Sequence, residues 1–217
     1  MKIRLYSYWR SSAAWRVRIA LEFKGLPYEY VPVHLVRDGG EQHKAEYRAI
    51  NPQSRVPTLE YGELRIPQSL AILEWLEETH PEPALLPRDP AGRARVRSLA
   101  ALIATDIQPL QNISVTQYLS TTAGLPDESV NRWLTEWIGR GMAALEARLA
   151  GEPDTGRFAH GDEPTIADAC IVPQCYASAR FGVGLEDYPT IARINAACAE
   201  LAAFVRAAPD AQPDAPK

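Results

Sequence analysis

Lys2 to Ser7 alternates, with Ile3, Leu5 and Ser7 on one side and Arg4 and Tyr6 on the other, which is the period of a strand. From Ser11 to Lys24 the period lengthens. Ala14, Val17 and Leu21 recur at helical spacing, while Arg16, Arg18, Glu22 and Lys24 fall largely elsewhere, as a surface or salt-bridging set. "KGLP" predicts the end of that helix, with Lys24 in its last turn, Gly25 for a left-handed cap and Pro27 beyond. "YEYVPVHL" (28–35) reads as a second strand, and Pro32 places it at a sheet edge because proline cannot donate to a ladder. "VPTLEYGELRIPQS" reads as a hairpin around Gly62, leading into a helix from Ser69 through Glu78 with Leu70, Leu73, Trp75 and Leu76 apolar. The predicted order is β-α-β-(α)-β-β-α.

"THPEPALLPRDP" (79–90) is a proline-rich connector and marks a domain boundary. Beyond it only helical periods follow. Asp89-Pro90 is an N-cap with a first-turn proline, opening a helix through Val96, Leu99, Leu102 and Ile103. Pro109 falls inside the continuing pattern, which predicts a kink there and a freed Thr105 carbonyl. Trp133, Trp137, Gly141, Leu145 and Leu149 recur every four residues as one face of a long helix ending near Gly151. Thr165-Ile166-Ala167-Asp168 is a capping box heading another helix. Tyr188-Pro189-Thr190 starts a last helical region, with Ile191, Ile194, Cys198 and Leu201 inward. The expected organisation is an α/β domain over 1–82, an all-helical domain over 88–208, and a tail over 209–217 ("PDAQPDAPK") that has nothing to bury and should be disordered.

Composition narrows the function classes. The chain has 217 residues, 46% apolar and 23% charged, with a net charge of −4, an ordinary globular balance. Mild acidity argues against nucleic acid or an anionic membrane as the main partner, since both reward clustered positive charge. No apolar run reaches spanning length, and "MKIRLYSYWR" lacks the apolar core of a signal peptide. Cys170, Cys175 and Cys198 have no metal-ligand spacing and read as reduced thiols. A cytoplasmic protein without a metal site is expected.

"RSSAAWRVRIAL" (10–21) carries the chemistry. A strand there runs through Arg10 and two adjacent hydroxyls, Ser11 and Ser12, into a helix. A helix N-terminus presents unpaired N–H groups and about half a positive charge, so it favours an anion. The same serines also suit simple capping, the commonest use of the residue at that place.

That string resembles the signature of the zeta class of glutathione transferases, a class that includes maleylacetoacetate and maleylpyruvate isomerases. Further similar strings lie in order along the chain: "NPQSRVPTL" (51–59), "PQSLAILEWLEE" (67–78), "QPLQN" (108–112) and "TIADACIVPQ" (165–174). The resemblance spans essentially the whole chain. It implies a thioredoxin-like α/β N-terminal domain followed by a helical bundle, with glutathione as the cofactor. One position departs from the pattern: a cysteine usually follows the two serines, and here stands Ala13. Any oxidative tuning by that cysteine should be absent.

The resemblance implies roles for particular residues. Ser11 would donate to the glutathione thiolate, with Ser12 in reserve, and the stretch through Ala13 and Arg16 would contact the cofactor. Val56, before a cis-proline in the family, would aim its backbone at the cysteinyl unit. Gln68 and Ser69, at a helix start, suit the γ-glutamyl carboxylate or a cap, or both. Gln42 would reach the tripeptide from its loop; Gln108, Asn112, Ile113 and Ser114 would lie at the face between the domains. Arg10 and Arg180 would hold the carboxylates of a small dicarboxylate substrate through forked hydrogen bonds, although Arg180 also fits a solvated arginine near a helix end. His34 and His43 receive no role.

The implied activity is cis–trans isomerisation of maleylacetoacetate, with maleylpyruvate as the alternative substrate. A general glutathione transferase or α-halo-acid dehalogenase shares the same cofactor site. A non-catalytic interaction module is the remote alternative. The family also implies a homodimer.

Overall fold

The structure is a computed structural model and describes residues 1–216. It divides into two compact units, one formed by Met1–Leu85 together with the chain from Ala199 onward, the other by Leu86–Cys198.

In the first unit, β1 (Ile3–Ser7), α1 (Ser12–Phe23), β2 (Tyr28–Pro32), the short α2 (Ala45–Arg48), β3 (Thr58–Tyr61), β4 (Leu64–Pro67) and α3 (Ser69–Thr79) follow in chain order. They form a four-stranded sheet in the order β2-β1-β3-β4. β1 pairs parallel with β2 and antiparallel with β3, and β3–β4 is a hairpin. β2 is therefore an edge, as Pro32 requires, although it stops at Pro32 rather than at residue 35. The alternation in β1 sorts the two faces. Tyr6 and Tyr8 pack with Val33, Tyr47 and Val56. Ser7 points the other way and takes a hydrogen bond from Arg18 of α1 at 3.1 Å.

The polar face expected of α1 does not exist. Ala14 through Leu21 are all buried, Arg16 and Arg18 among them. Arg18 Nε donates to Ala207 O, Nη1 to Ser7 Oγ and Tyr8 O, and Nη2 to Trp9 O, at 2.8–3.2 Å. Burial draws its pKa down to about 10. Its acceptors are mostly backbone carbonyls, so it is neither a surface arginine nor one arm of a salt bridge. Lys24 is buried too, and its Nζ donates to Glu77 Oε2 at 2.8 Å and to the carbonyls of His80 and Pro83. All three ammonium donors are used, and they tie the connector after α3 to the end of α1.

The second unit is helical. α4 (Pro90–Ala101) opens on the predicted Asp89 cap, whose carboxylate accepts from Gly92 N at 2.8 Å. The pattern then departs from the α-helix seven residues before Pro109: Leu102–Ile107 is π-helical and Gln108–Gln111 is 3₁₀. α5 (Ile113–Gln117), α6 (Asp127–Gly151), α7 (Ile166–Arg180) and α8 (Pro189–Ala199) follow. The buried stripe of α6 is Val130, Leu134, Ile138, Met142, Leu145 and Leu149, with Trp133 and Trp137 only half-buried. A strict four-residue repeat drifts about 160° over the sixteen residues from Trp133 to Leu149, so it cannot stay on one face. Gly141 has no side chain because Ile107 presses against its Cα. The capping box of α7 forms: Asp168 accepts from the N–H groups of Ala159 and Thr165, and Thr165 Oγ1 from Ala167 N. Burial pushes the Asp168 carboxyl above its ordinary range despite these bonds.

The end of the chain corrects two expectations. The helical region does not stay with the second unit to residue 208. α9 (Ala202–Ala207) buries Ala203, Phe204 and Ala207 and belongs with the first unit, where Arg206 pairs with Glu22 at 2.7 Å. The stretch after it is ordered through residue 216. Pro209–Ala211 is a 3₁₀ turn, Pro209 and Gln212 are buried, and Gln212 Nε2 donates to the carbonyls of Arg206 and Ala208. The tail has few apolar residues, yet its polar groups find partners that the sequence does not show. Lys217 lies outside the described residues. No helix of the described chain is long and apolar enough to cross a membrane.

Candidate active site

Ser11 is the N-cap of α1. Its backbone is extended (φ −69°, ψ 115°) and its Oγ accepts from Ala14 N at 3.2 Å. The capping reading is therefore realised. It does not exhaust the hydroxyl, because an accepting oxygen still carries a proton to donate. Ser11 N donates to Tyr8 O at 2.9 Å, closing the turn between β1 and α1. Ser12 and Ala13 begin the first helical turn and are half-buried. Arg10 lies half-buried in the turn with its guanidinium over the Trp9 ring, 5.3 Å from the centroid. Among the described residues Arg10 pairs with no carboxylate.

Five more predicted residues lie in the same unit. Arg16 Nη1 donates to Ser69 Oγ at 3.2 Å, both groups buried, which links α1 to the first residue of α3. Gln68, the residue before α3, sits at φ 71°, a region that costs a non-glycine residue on the order of 1–3 kcal/mol and marks functional sites. It makes no side-chain cap; instead its Nε2 reaches Gln53 Oε1 at 2.9 Å. The N-terminus of α3 has no side-chain cap, as α2, α6 and α9 also lack one, so its first N–H groups are free to meet an anion. The capped-helix alternative for Gln68 and Ser69 thus fails.

Val56 precedes a cis peptide bond to Pro57, as the resemblance implied. Its N–H and C=O have no hydrogen-bond partner among the described residues. The loop before it is rigid: the Arg55 carbonyl accepts from Tyr47 Oη at 2.7 Å and from Asn51 Nδ2 at 2.8 Å. Gln42 is buried, donates through Nε2 to Leu35 O at 3.1 Å, and leaves its Oε1 buried without a partner. A Cβ on Gly40 (φ +96°) would stand 2.5 Å from that amide, so only glycine permits the side chain to fold back there. His34 shapes this loop, its Nδ1 accepting from the N–H groups of Val36 and Arg37.

The remaining predicted residues belong to the second unit. Gln108 opens the 3₁₀ turn and is half-buried. Asn112 caps α5, its Oδ1 accepting from Ser114 N and Ser114 Oγ, with Ile113 half-buried between them. Arg180 is exposed in the last turn of α7 and lies over the Phe181 ring. Sequence reasoning missed Gln111 and Gln174, two buried amides that exchange hydrogen bonds at 3.2 and 3.0 Å, with Gln174 also donating to Ser178. It also missed Asn51 and Arg18. For Arg18 no local signal was present: on the helical wheel it lies beside Ser11 and Glu22, where a solvated arginine would also sit.

An open helix N-terminus, a cis-proline loop with free backbone groups and a capped hydroxyl in a β–α turn define a thioredoxin-like unit built to hold a peptide thiol. Residues 5–84 match the glutathione S-transferase N-terminal domain and residues 123–207 the C-terminal domain. The chain belongs to the glutathione S-transferase family, in its zeta class. It is 50% identical over 213 residues to a maleylpyruvate isomerase of Ralstonia sp, covering 98% of this chain and 99% of that one. It is likewise 50% identical over 216 residues to the maleylacetoacetate isomerase of Pseudomonas aeruginosa, covering 99% of each. Among solved structures, a maleylacetoacetate isomerase from Anaeromyxobacter dehalogenans with glutathione in its active site is 52% identical, with a TM-score of 0.88 over 99% of this chain and 98% of that one.

Proposed function

We propose that the protein is a glutathione-dependent cis–trans isomerase of maleylacetoacetate, with maleylpyruvate as the second reading because relatives of both names match equally well. The observation that carries it is the Tyr8–Ser11 turn. There a hydroxyl at a helix N-terminus adjoins a guanidinium that pairs with no carboxylate among the described residues.

The residues fit glutathione. Among the described residues the buried acceptor of Gln42, the backbone of Val56 and the first N–H groups of the uncapped α3 have no partner, and a peptide ligand supplies one. When bound, glutathione supplies a thiolate that adds reversibly to the cis double bond, allowing rotation before it leaves. The α1 N-terminus and the Ser11 hydroxyl favour that charge and lower the thiol pKa. Ser12, Ala13 and Arg16 belong to the same stretch, Arg16 acting through the Ser69 hydroxyl. Arg10 orients a substrate carboxylate through its fork and stabilises negative charge developing on the conjugated carbonyl oxygen. Arg180 takes the second carboxylate, and Gln108, Asn112, Ile113 and Ser114 complete the cofactor side. The protein works as a cytoplasmic homodimer.

Loss of maleylacetoacetate and maleylpyruvate absorbance, with and without glutathione, tests this in the wild type and in Arg10→Ala. Glutathione-dependent turnover is expected, and Arg10→Ala raises the substrate KM at least about tenfold. The ratio of kcat/KM values selects the substrate. Turnover of α-halo acids alone would install the general transferase, and failure to bind glutathione would install the interaction module.

A further inference from the structure

The last residues of the chain reach the turn on which the proposed chemistry depends. Asp214 Oδ2 accepts from Trp9 N at 3.1 Å, and Asp214 Oδ1 accepts from Tyr30 Oη at 2.6 Å. On the other side of the same residue, Trp9 O accepts from Arg18 Nη2 at 2.8 Å. Arg18 Nη1 takes the next carbonyl back, Tyr8 O, which also accepts from Ser11 N. The indole of Trp9 carries the Arg10 guanidinium. Trp9 is thus held at its N–H by the end of the chain and at its C=O by a buried arginine, and what it positions is Arg10 and Ser11. The anchor is itself secured, because Ala207 O receives Arg18 Nε and the Gln212 side chain closes the turn after α9.

We propose that Asp214 is a positioning residue of the site: with Arg18 it clamps Trp9 and so sets where Arg10 and Ser11 stand. This rests on the function proposed above. The burial of Arg18 supplies a second reason for an anion here. Arg18 loses its water to carbonyl acceptors, and the negative charge of Asp214 favours its protonated form. Glutathione contacts through Gln42, Val56, Gln68 and Ser69 come from other elements, so loosening the clamp affects Arg10 and Ser11 selectively.

The variants are Asp214→Ala, a chain ending at Ala208, Tyr30→Phe, and Asp210→Asn as an exposed control in the same tail. In ligand-free protein, amide hydrogen exchange over residues 8–14 is expected to rise in Asp214→Ala and in the shortened chain while the rest of the sheet keeps its protection. In the loaded protein kcat falls about tenfold or more, as small misplacements of reacting groups do, while the glutathione KM stays within about twofold. The thiol pKa of bound glutathione, read from thiolate absorbance, rises. Asp210→Asn behaves as wild type. A merely structural role would instead raise exchange throughout the unit and lower the active fraction without moving the thiol titration. Wild-type exchange and kcat in Asp214→Ala overturn the proposal. Where Asp214→Ala does not fold, Tyr30→Phe decides in its place, since it removes only the second anchor of the carboxylate. If the wild type shows no glutathione-dependent turnover, the functional reading fails, and the exchange data alone score the clamp.

Discussion

Replacing Ser11 by alanine separates the two duties of its hydroxyl. The cap bond to Ala14 N is long, at 3.2 Å, so its loss should cost about 1 kcal/mol, within the range of about 0.5–2 kcal/mol for such caps. In a chain of this size that lowers Tm by about 2–4 °C. A hydrogen bond to a charged partner contributes about 1.5–3 kcal/mol. At about 1.4 kcal/mol per pKa unit, the bound thiol should rise by about 1–2 units. The thiolate fraction near neutral pH then falls by up to about 10–100-fold, and kcat with it. Thermal unfolding gives the first quantity, and thiolate absorbance of the glutathione complex as a function of pH gives the second. Ser12→Ala, which leaves the cap intact, should change neither strongly. A Ser11→Ala protein that loses the expected stability but keeps its thiol titration and kcat within about threefold would falsify the thiolate role and leave Ser11 a cap alone.

Removing one partner of the buried Lys24–Glu77 pair should cost about 3–5 kcal/mol, whereas Lys24→Met with Glu77→Leu should cost no more than Lys24→Met alone; additive losses in chemical denaturation would sink that account. The thiols should resist alkylation at pH 8 until the protein unfolds, because all three are buried and burial pushes Cys175 up to about 12 and Cys198 higher still; rapid labelling of folded protein would contradict this. Glu152 is held below the usual carboxylate range by Arg148 first and by Arg95 as well. Its contribution to stability is therefore present above the unfolded value near about 4.3 and lost as pH falls through the lower folded one. The Tm difference between wild type and Glu152→Gln should shrink towards zero on acidification from neutral pH, and a constant difference would exclude the linkage.

Much of the first unit follows from local signals. Period-two alternation in β1, the change of period at Ser11, Gly25 at φ 64° after α1 and the hairpin at Gly62 are decided by residues close in sequence, where steric preference and hydrogen bonding act directly. The capping residues Asp89 and Thr165 are legible for the same reason. The arginines of α1 are not, because their acceptors (carbonyls of Tyr8, Trp9 and Ala207 for Arg18, the Ser69 hydroxyl for Arg16) are brought together only by the tertiary fold. The stripe of α6 needed the real helical repeat rather than a rounded one. The Gln111–Gln174 pair spans 63 positions, and neither glutamine differs locally from a solvated one. The tail is the sharpest case. Pro, Asp and Ala by themselves cannot bury enough surface to order a chain, yet Pro209 and Gln212 are buried, Gln212 finds the carbonyls of Arg206 and Ala208, and Asp214 finds Trp9 N and the Tyr30 hydroxyl of β2. Local sequence determined which elements form and where they are capped. Only the tertiary structure decided which polar side chains are enclosed, because enclosure depends on partners far away along the chain.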